Sequence, residues 1–167
     1  MKIGRAIVAG IVGGIVVVIA LIVVGWLVGA NADLCRLGGV ILTRRLDAAG
    51  WLAGAVAQLV IAIIAALVYA AIFELVTRRA GALIGLAIAV PHVIVAGLAM
   101  GFIPASPLID AGIGPPGAFM EFRGPWVIVT FVLAHLAFGA LVGRLYGNTR
   151  HSPDLASYRW LEITAPQ

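Results

Sequence analysis

The chain has 167 residues, of which 63% are hydrophobic and only 11% charged. Its mean hydropathy is +1.14, whereas soluble domains carry about 45–50% apolar and about 25% charged residues, so a water-soluble globule is excluded. The net charge of +4 comes from 11 Lys and Arg residues that lie at the ends of apolar segments and form no basic face, which argues against a nucleic-acid partner.

Four apolar stretches run in chain order over 7–28, 51–73, 83–102 and 126–145. Each is close to the ~20 residues that cross a bilayer core of ~30 Å, and in lipid a helix satisfies its own backbone hydrogen bonds. The expected fold is an all-α integral membrane four-helix bundle over 1–147, followed by a short polar cytoplasmic tail, 148–167, expected to be poorly ordered.

The first stretch follows Lys2 and Arg5 and precedes Ala30-Asn31-Ala32, an outline shared with secretory signal peptides. Its apolar run is about twice the ~7–15 residues of a signal core, and Asp33 before Cys35 suits a lipoprotein box poorly, so a retained first span is expected. Cys35 is the one cysteine, which leaves no intramolecular disulfide and no cysteine-based metal site. In the link over 29–50, Leu34, Leu37, Ile41 and Leu42 recur at helical spacing, which predicts a short helix lying in the membrane interface and weakened by Gly38-Gly39.

The second and third spans are joined by a tight turn over 74–80, where Glu74 and Arg78 have the i,i+4 spacing of a helical ion pair. The link over 103–125 holds Pro104, Pro107, Pro115, Pro116 and Pro125 with Gly112, Gly114, Gly117 and Gly124, a composition that predicts an irregular cap over one mouth of the bundle. With four spans, both termini and the 74–80 turn share one side. That side carries seven Lys and Arg residues against four on the other, so the positive-inside rule puts both termini in the cytoplasm. Trp26, Trp51 and Trp126 then fall at the opposite interface, as an aromatic belt.

In lipid, helices associate through close approach of small residues. At ~100° per residue, Gly10, Gly14, Gly25 and Gly29 share a face of the first span, and Gly54, Gln58, Ala62, Ala65 and Tyr69 a face of the second. Gly81, Gly85, Ala89, His92, Ala96 and Ala99 share a face of the third, and His135, Gly139, Gly143 and Tyr146 a face of the fourth. Gly81, Gly85, Gly139 and Gly143 are the expected helix-packing glycines. Shifts of 72 and 77 residues superpose small and polar positions of the first two spans on the last two, which predicts two pseudo-repeated helical hairpins.

Gly50-Trp51-Leu52, Leu67-Val68-Tyr69-Ala70 and the run His135-Leu136-Ala137-Phe138-Gly139 continuing to Gly147 give the chain a resemblance. It resembles a broad group of small bacterial four-span proteins described as domains of unknown function. The resemblance covers about residues 5–147. It implies a multi-pass bundle in the bacterial inner (cytoplasmic) membrane and carries no activity with it.

His92 and His135 lie about 11 residues in from the same membrane side, so both are expected ~16 Å deep at ~1.5 Å per residue. Ionisable groups at that depth usually face the bundle interior, and low dielectric disfavours the imidazolium, so both rings are expected neutral. One reading is structural: a His–His or His–backbone hydrogen bond between neighbouring helices, with Pro91 freeing a carbonyl near residue 87 to act as partner. A second is a proton or substrate path over a polar seam of Gln58, Tyr69, His92 and His135. A third is a bis-histidine haem or metal centre. No nucleophile–base pair, phosphate loop or paired carboxylate is present, so no catalytic residue and no resident metal are expected.

The expectation is therefore a non-enzymatic structural or partner-binding membrane subunit without a required cofactor. Its expected partners are the lipid bilayer and either a second copy or another membrane protein. The alternatives are a small transporter or proton-conducting module on the His92/His135 seam, and then a haem redox subunit.

Overall fold

The structure, a computed structural model, describes residues 1–149; apart from Asn148 and Thr149, the expected tail lies outside them. Six α-helices follow one another: α1 Ile3–Leu27, α2 Leu34–Thr43, α3 Ala48–Ile72, α4 Ala82–Gly101, α5 Ala105–Asp110 and α6 Pro125–Tyr146. A π-helical turn, Phe73–Thr77, extends α3, and a 3₁₀ turn, Ala118–Arg123, precedes α6. No strand occurs among the described residues. With their extensions, α1, α3, α4 and α6 are long and apolar enough to cross a membrane, and the chain is an all-α, multi-pass membrane protein.

Their outward faces carry Val8, Ile19, Leu52, Val60, Leu83 and Leu133, all exposed, as suits helices bathed in acyl chains rather than water. Trp26 and Trp126 project at the end of the bundle away from the termini, here called the cap end; they are 81% and 66% exposed.

The long helices pack in the order α3, α1, α6, α4. Missing side chains hold each junction. A Cβ on Gly10 would lie 2.8 Å from the Ile63 Cα, and one on Gly14 would lie 2.6 Å from the Ala62 Cβ, so α1 meets α3 at van der Waals limit. Gly13 admits the Phe138 ring, joining α1 to α6. Gly85 lies against the Gly139 carbonyl, and Gly143 lies against the Gly81 carbonyl, closing α4 on α6. Three of the four expected packing glycines thus make the contact themselves. Gly81 contributes its carbonyl, while its own Cβ direction is open. On α1, Gly25 packs not on another helix but on the link that follows its own, at Ala30 and Ala32, and Gly29 sits exposed at φ +69 in the turn after the helix.

Each hairpin closes on small residues, as the pseudo-repeat leads one to expect. A twofold would also pack α3 on α4 as α1 packs on α6. Instead, α3 and α4 meet through long side chains, chiefly a Tyr69–His92 hydrogen bond. The bundle is therefore open on that side.

Helix α2 departs from the sequence expectation. It does not lie alone in the interface but runs antiparallel beside the start of α3, with Gly39 against the Gly50 carbonyl and Gly54 against the Cys35 carbonyl. Gly38-Gly39 weakens an isolated helix, but here glycine is what permits the contact. Asp33 caps α2 by accepting from the Cys35 and Arg36 backbone N–H groups at 2.8 and 3.1 Å, and its other oxygen accepts from Trp51 Nε1 at 2.8 Å. Asp33→Ala should cost about 1–2 kcal/mol, the usual worth of an N-cap. Faster amide exchange confined to α2 and the start of α3 would register this, and unchanged exchange there would refute it. Burial, helped by the nearby Asp33 charge, pushes the Cys35 thiol up to about 11, so it remains a neutral packing group.

The proline-rich link is also more regular than its composition predicts, because proline is tolerated where a helix begins. Pro104 caps α5 and Pro125 opens α6. Between them, Arg123 Nη2 donates to the Ile113 and Gly114 carbonyls at 2.7 and 2.8 Å. Phe119 and Met120 adopt left-handed φ values of 52° and 62°, a local cost offset by burying Met120 completely and seating the Phe119 ring against Gly97. Leu37 and Val40 of α2 pack on Leu108 and Ile113 of this cap.

Candidate functional site

Where α3 and α4 stand apart, a cleft of about 360 Å³ runs into the bundle, bounded by α2, α3, α4 and α6. Its walls are apolar and include Leu37, Ile41, Ile61, Ala99 and Met100; Gln58, His92 and His135 supply its polar side chains. A smaller void of about 40 Å³ adjoins it and is lined by the same three polar residues. A 40 Å³ void holds one water or one hydroxyl group.

The two histidines, expected at one depth, are neighbours, their ring centroids 5.6 Å apart, edge to face. They do not hydrogen-bond each other. His135 is 9% exposed; its Nδ1 lies 2.8 Å from the Phe131 carbonyl oxygen one turn earlier on α6. A carbonyl only accepts, so Nδ1 carries the proton and Nε2 a lone pair. His92 Nδ1 lies 3.0 Å from the Tyr69 hydroxyl. The Tyr69 hydroxyl makes no other hydrogen bond among the described residues, so assigning it as the donor to His92 Nδ1 is what satisfies its proton. That assignment leaves Nε2–H of His92 as a donor. Neither ring reaches the carbonyl near residue 87 that Pro91 frees, and α4 continues through Pro91 unbroken.

The four residues of the predicted seam are thus brought to one place, but they do not form a ladder. No hydrogen bond links Gln58 to either ring among the described residues. Towards the termini, Phe73 stands between Tyr69 and Tyr146, its ring 6.2 Å from the first and 5.5 Å from the second. A porphyrin gripped between His92 and His135 would require α4 and α6 to separate where Gly85 and Gly139 touch. Among the described residues, no three His, Cys, Asp or Glu side chains cluster to hold a metal ion.

A second polar cluster, at the end that carries the termini, escaped the sequence reading. Glu74 turns inward, 7% exposed, and accepts from the Tyr146 hydroxyl at 2.6 Å. The Tyr146 oxygen in turn accepts from the Lys2 backbone N–H at 3.0 Å. The expected Glu74–Arg78 geometry is not kept, because Arg78 ends the helical extension at a left-handed φ of 53°. The signal available in sequence was an acid at the edge of an apolar span. Its partner is 72 residues away, and spacing cannot supply that.

No protein-family model, no curated protein and no solved structure matches the chain.

Proposed function

We propose that this protein is a non-enzymatic binding subunit of the bacterial inner membrane, with both termini in the cytoplasm, and that the partner it takes through the open side of its bundle is a small lipid-soluble molecule. The observation that carries this reading is the gap between α3 and α4. Three well-packed junctions leave one side unclosed, and the cleft there has apolar walls and a few convergent polar groups, the usual make-up of a ligand site. Conduction is supported less well, because a proton path needs hydrogen-bonding groups in series and Phe73 breaks the series. The excess of Lys and Arg on the terminal side supports the orientation, and the resemblance to small bacterial four-span proteins supports the compartment.

Native mass spectrometry of protein released directly from its membrane tests the reading. Chains are expected to retain a small molecule, and Ala99→Phe, which fills the cleft from its lipid-facing wall, should release it. Bare protein, or retention unchanged by Ala99→Phe, would overturn the reading. A proton flux in proteoliposomes that His92→Ala and His135→Ala abolish at constant folded protein would replace it by transport. A Soret band in the purified protein would replace it by a redox role.

A further inference from the structure

The hydrogen-bond assignments at the two histidines say more about the occupant than its greasiness. His135 offers an acceptor at Nε2, because its Nδ1 proton is committed to the Phe131 carbonyl. His92 offers a donor at Nε2, because its Nδ1 accepts from Tyr69. Both rings line the same cleft and the same small void, and His135 is nine-tenths buried. A carbonyl or ether oxygen satisfies only the donor, and a hydrocarbon satisfies neither. One hydroxyl group satisfies both. The two rings are near neighbours, edge to face with centroids 5.6 Å apart, a separation on the scale of one oxygen hydrogen-bonded at ~2.8 Å to each ring. The adjoining void of about 40 Å³ has room for that group, while the cleft of about 360 Å³ leads from it between apolar walls.

We propose that the cleft takes a lipid-soluble molecule bearing a hydroxyl group, whose oxygen accepts a hydrogen bond from His92 Nε2–H and whose proton is donated to His135 Nε2. This rests on reading the cleft as a binding site, and it adds the chemistry of the ligand's head. Aliphatic alcohols and phenolic quinols share that chemistry. Leaving one buried partner unmade costs about a factor of ten in affinity.

The test uses the full chain in phosphatidylcholine nanodiscs with a long-chain alcohol carrying a photoactivatable diazirine, the labelled residues being mapped by mass spectrometry. Labelling is expected on cleft residues such as Ile61 and Met100. Competition by 1-dodecanol should be about tenfold stronger than by its methyl ether. The preference should vanish in His92→Phe and His135→Phe. Should either variant fail to fold, the alcohol-to-ether ratio on the unaltered protein still decides. Decylhydroquinone as competitor separates the two sources: stronger competition than by dodecanol identifies a phenolic head and weaker competition an aliphatic one, and either supports the proposal. Equal competition by alcohol and ether, both blocked by Ala99→Phe, would overturn the hydroxyl while leaving the binding cleft standing. Labelling spread over the lipid-facing surface and indifferent to Ala99→Phe would overturn both.

Discussion

Replacing Gly85 by alanine is expected to destabilise the bundle by about 1–3 kcal/mol, the range for forcing atoms into a packed interface, and leucine should prevent assembly of the second hairpin. The added Cβ would clash with the Gly139 carbonyl oxygen, with the Gly143 Cα 3.1 Å away. Neither neighbour is the end of a flexible side chain, so α4 and α6 must move apart as rigid bodies. Separation forfeits the close backbone contact that replaces the hydrophobic effect between helices in lipid. Gly4→Ala supplies the control: it is the same chemical change in α1, at a position where a Cβ meets nothing within 4 Å. Alanine's better helix propensity should there raise stability by up to ~1 kcal/mol. Unfolding midpoints in mixed micelles of rising dodecyl sulfate content measure both. Equal midpoints for Gly85→Ala and the parent would show that this crossing does not hold the hairpin together.

The second large effect is expected at the terminal end. Tyr146→Phe removes the hydroxyl that donates to the buried Glu74 carboxylate and that accepts from the Lys2 backbone. Removing a hydrogen bond from a buried carboxyl oxygen costs about 1–3 kcal/mol. The loss should appear as a lower unfolding midpoint and as faster amide exchange at residues 2–6, where α1 is tied down. Because the two side chains are in direct contact, Glu74→Leu combined with Tyr146→Phe should cost less than the two changes added together, by ~0.5–3 kcal/mol. Strict additivity would mean that the contact contributes nothing and that the end of α6 is held by other bonds, such as Thr149 Oγ1 donating to the Arg78 carbonyl at 2.7 Å.

The two regions were unequally legible. Gly85, Gly139 and Gly143 could be picked out in sequence because glycines repeated every four residues on an apolar helix have few uses other than close approach. Glu74 and Tyr146 could not be paired, since their contact joins two separate hairpins and depends on the turn of α3 that becomes π-helical at Phe73–Thr77. His92 and His135 were an intermediate case. Counting residues along two rods of known rise put them at one depth, but depth says nothing about rotation, and it was rotation that gave each Nδ1 its own partner.

The same division runs through the whole molecule. Four spans and their approximate ends follow from the order of amino acids, because bilayer thickness converts apolar length directly into a crossing helix. Which helices become neighbours does not follow. Each long helix carries a face of small residues, but such a face does not say which neighbour it will meet, and the choice among pairings is made by a few contacts between residues distant in the chain. Those contacts put α1 between α3 and α6, drew α2 against α3 through Gly39 and Gly54, and left α3 and α4 joined by Tyr69 and His92. The cleft exists because of that last arrangement. It is a space between helices, and it came into being only when the helices had chosen their partners.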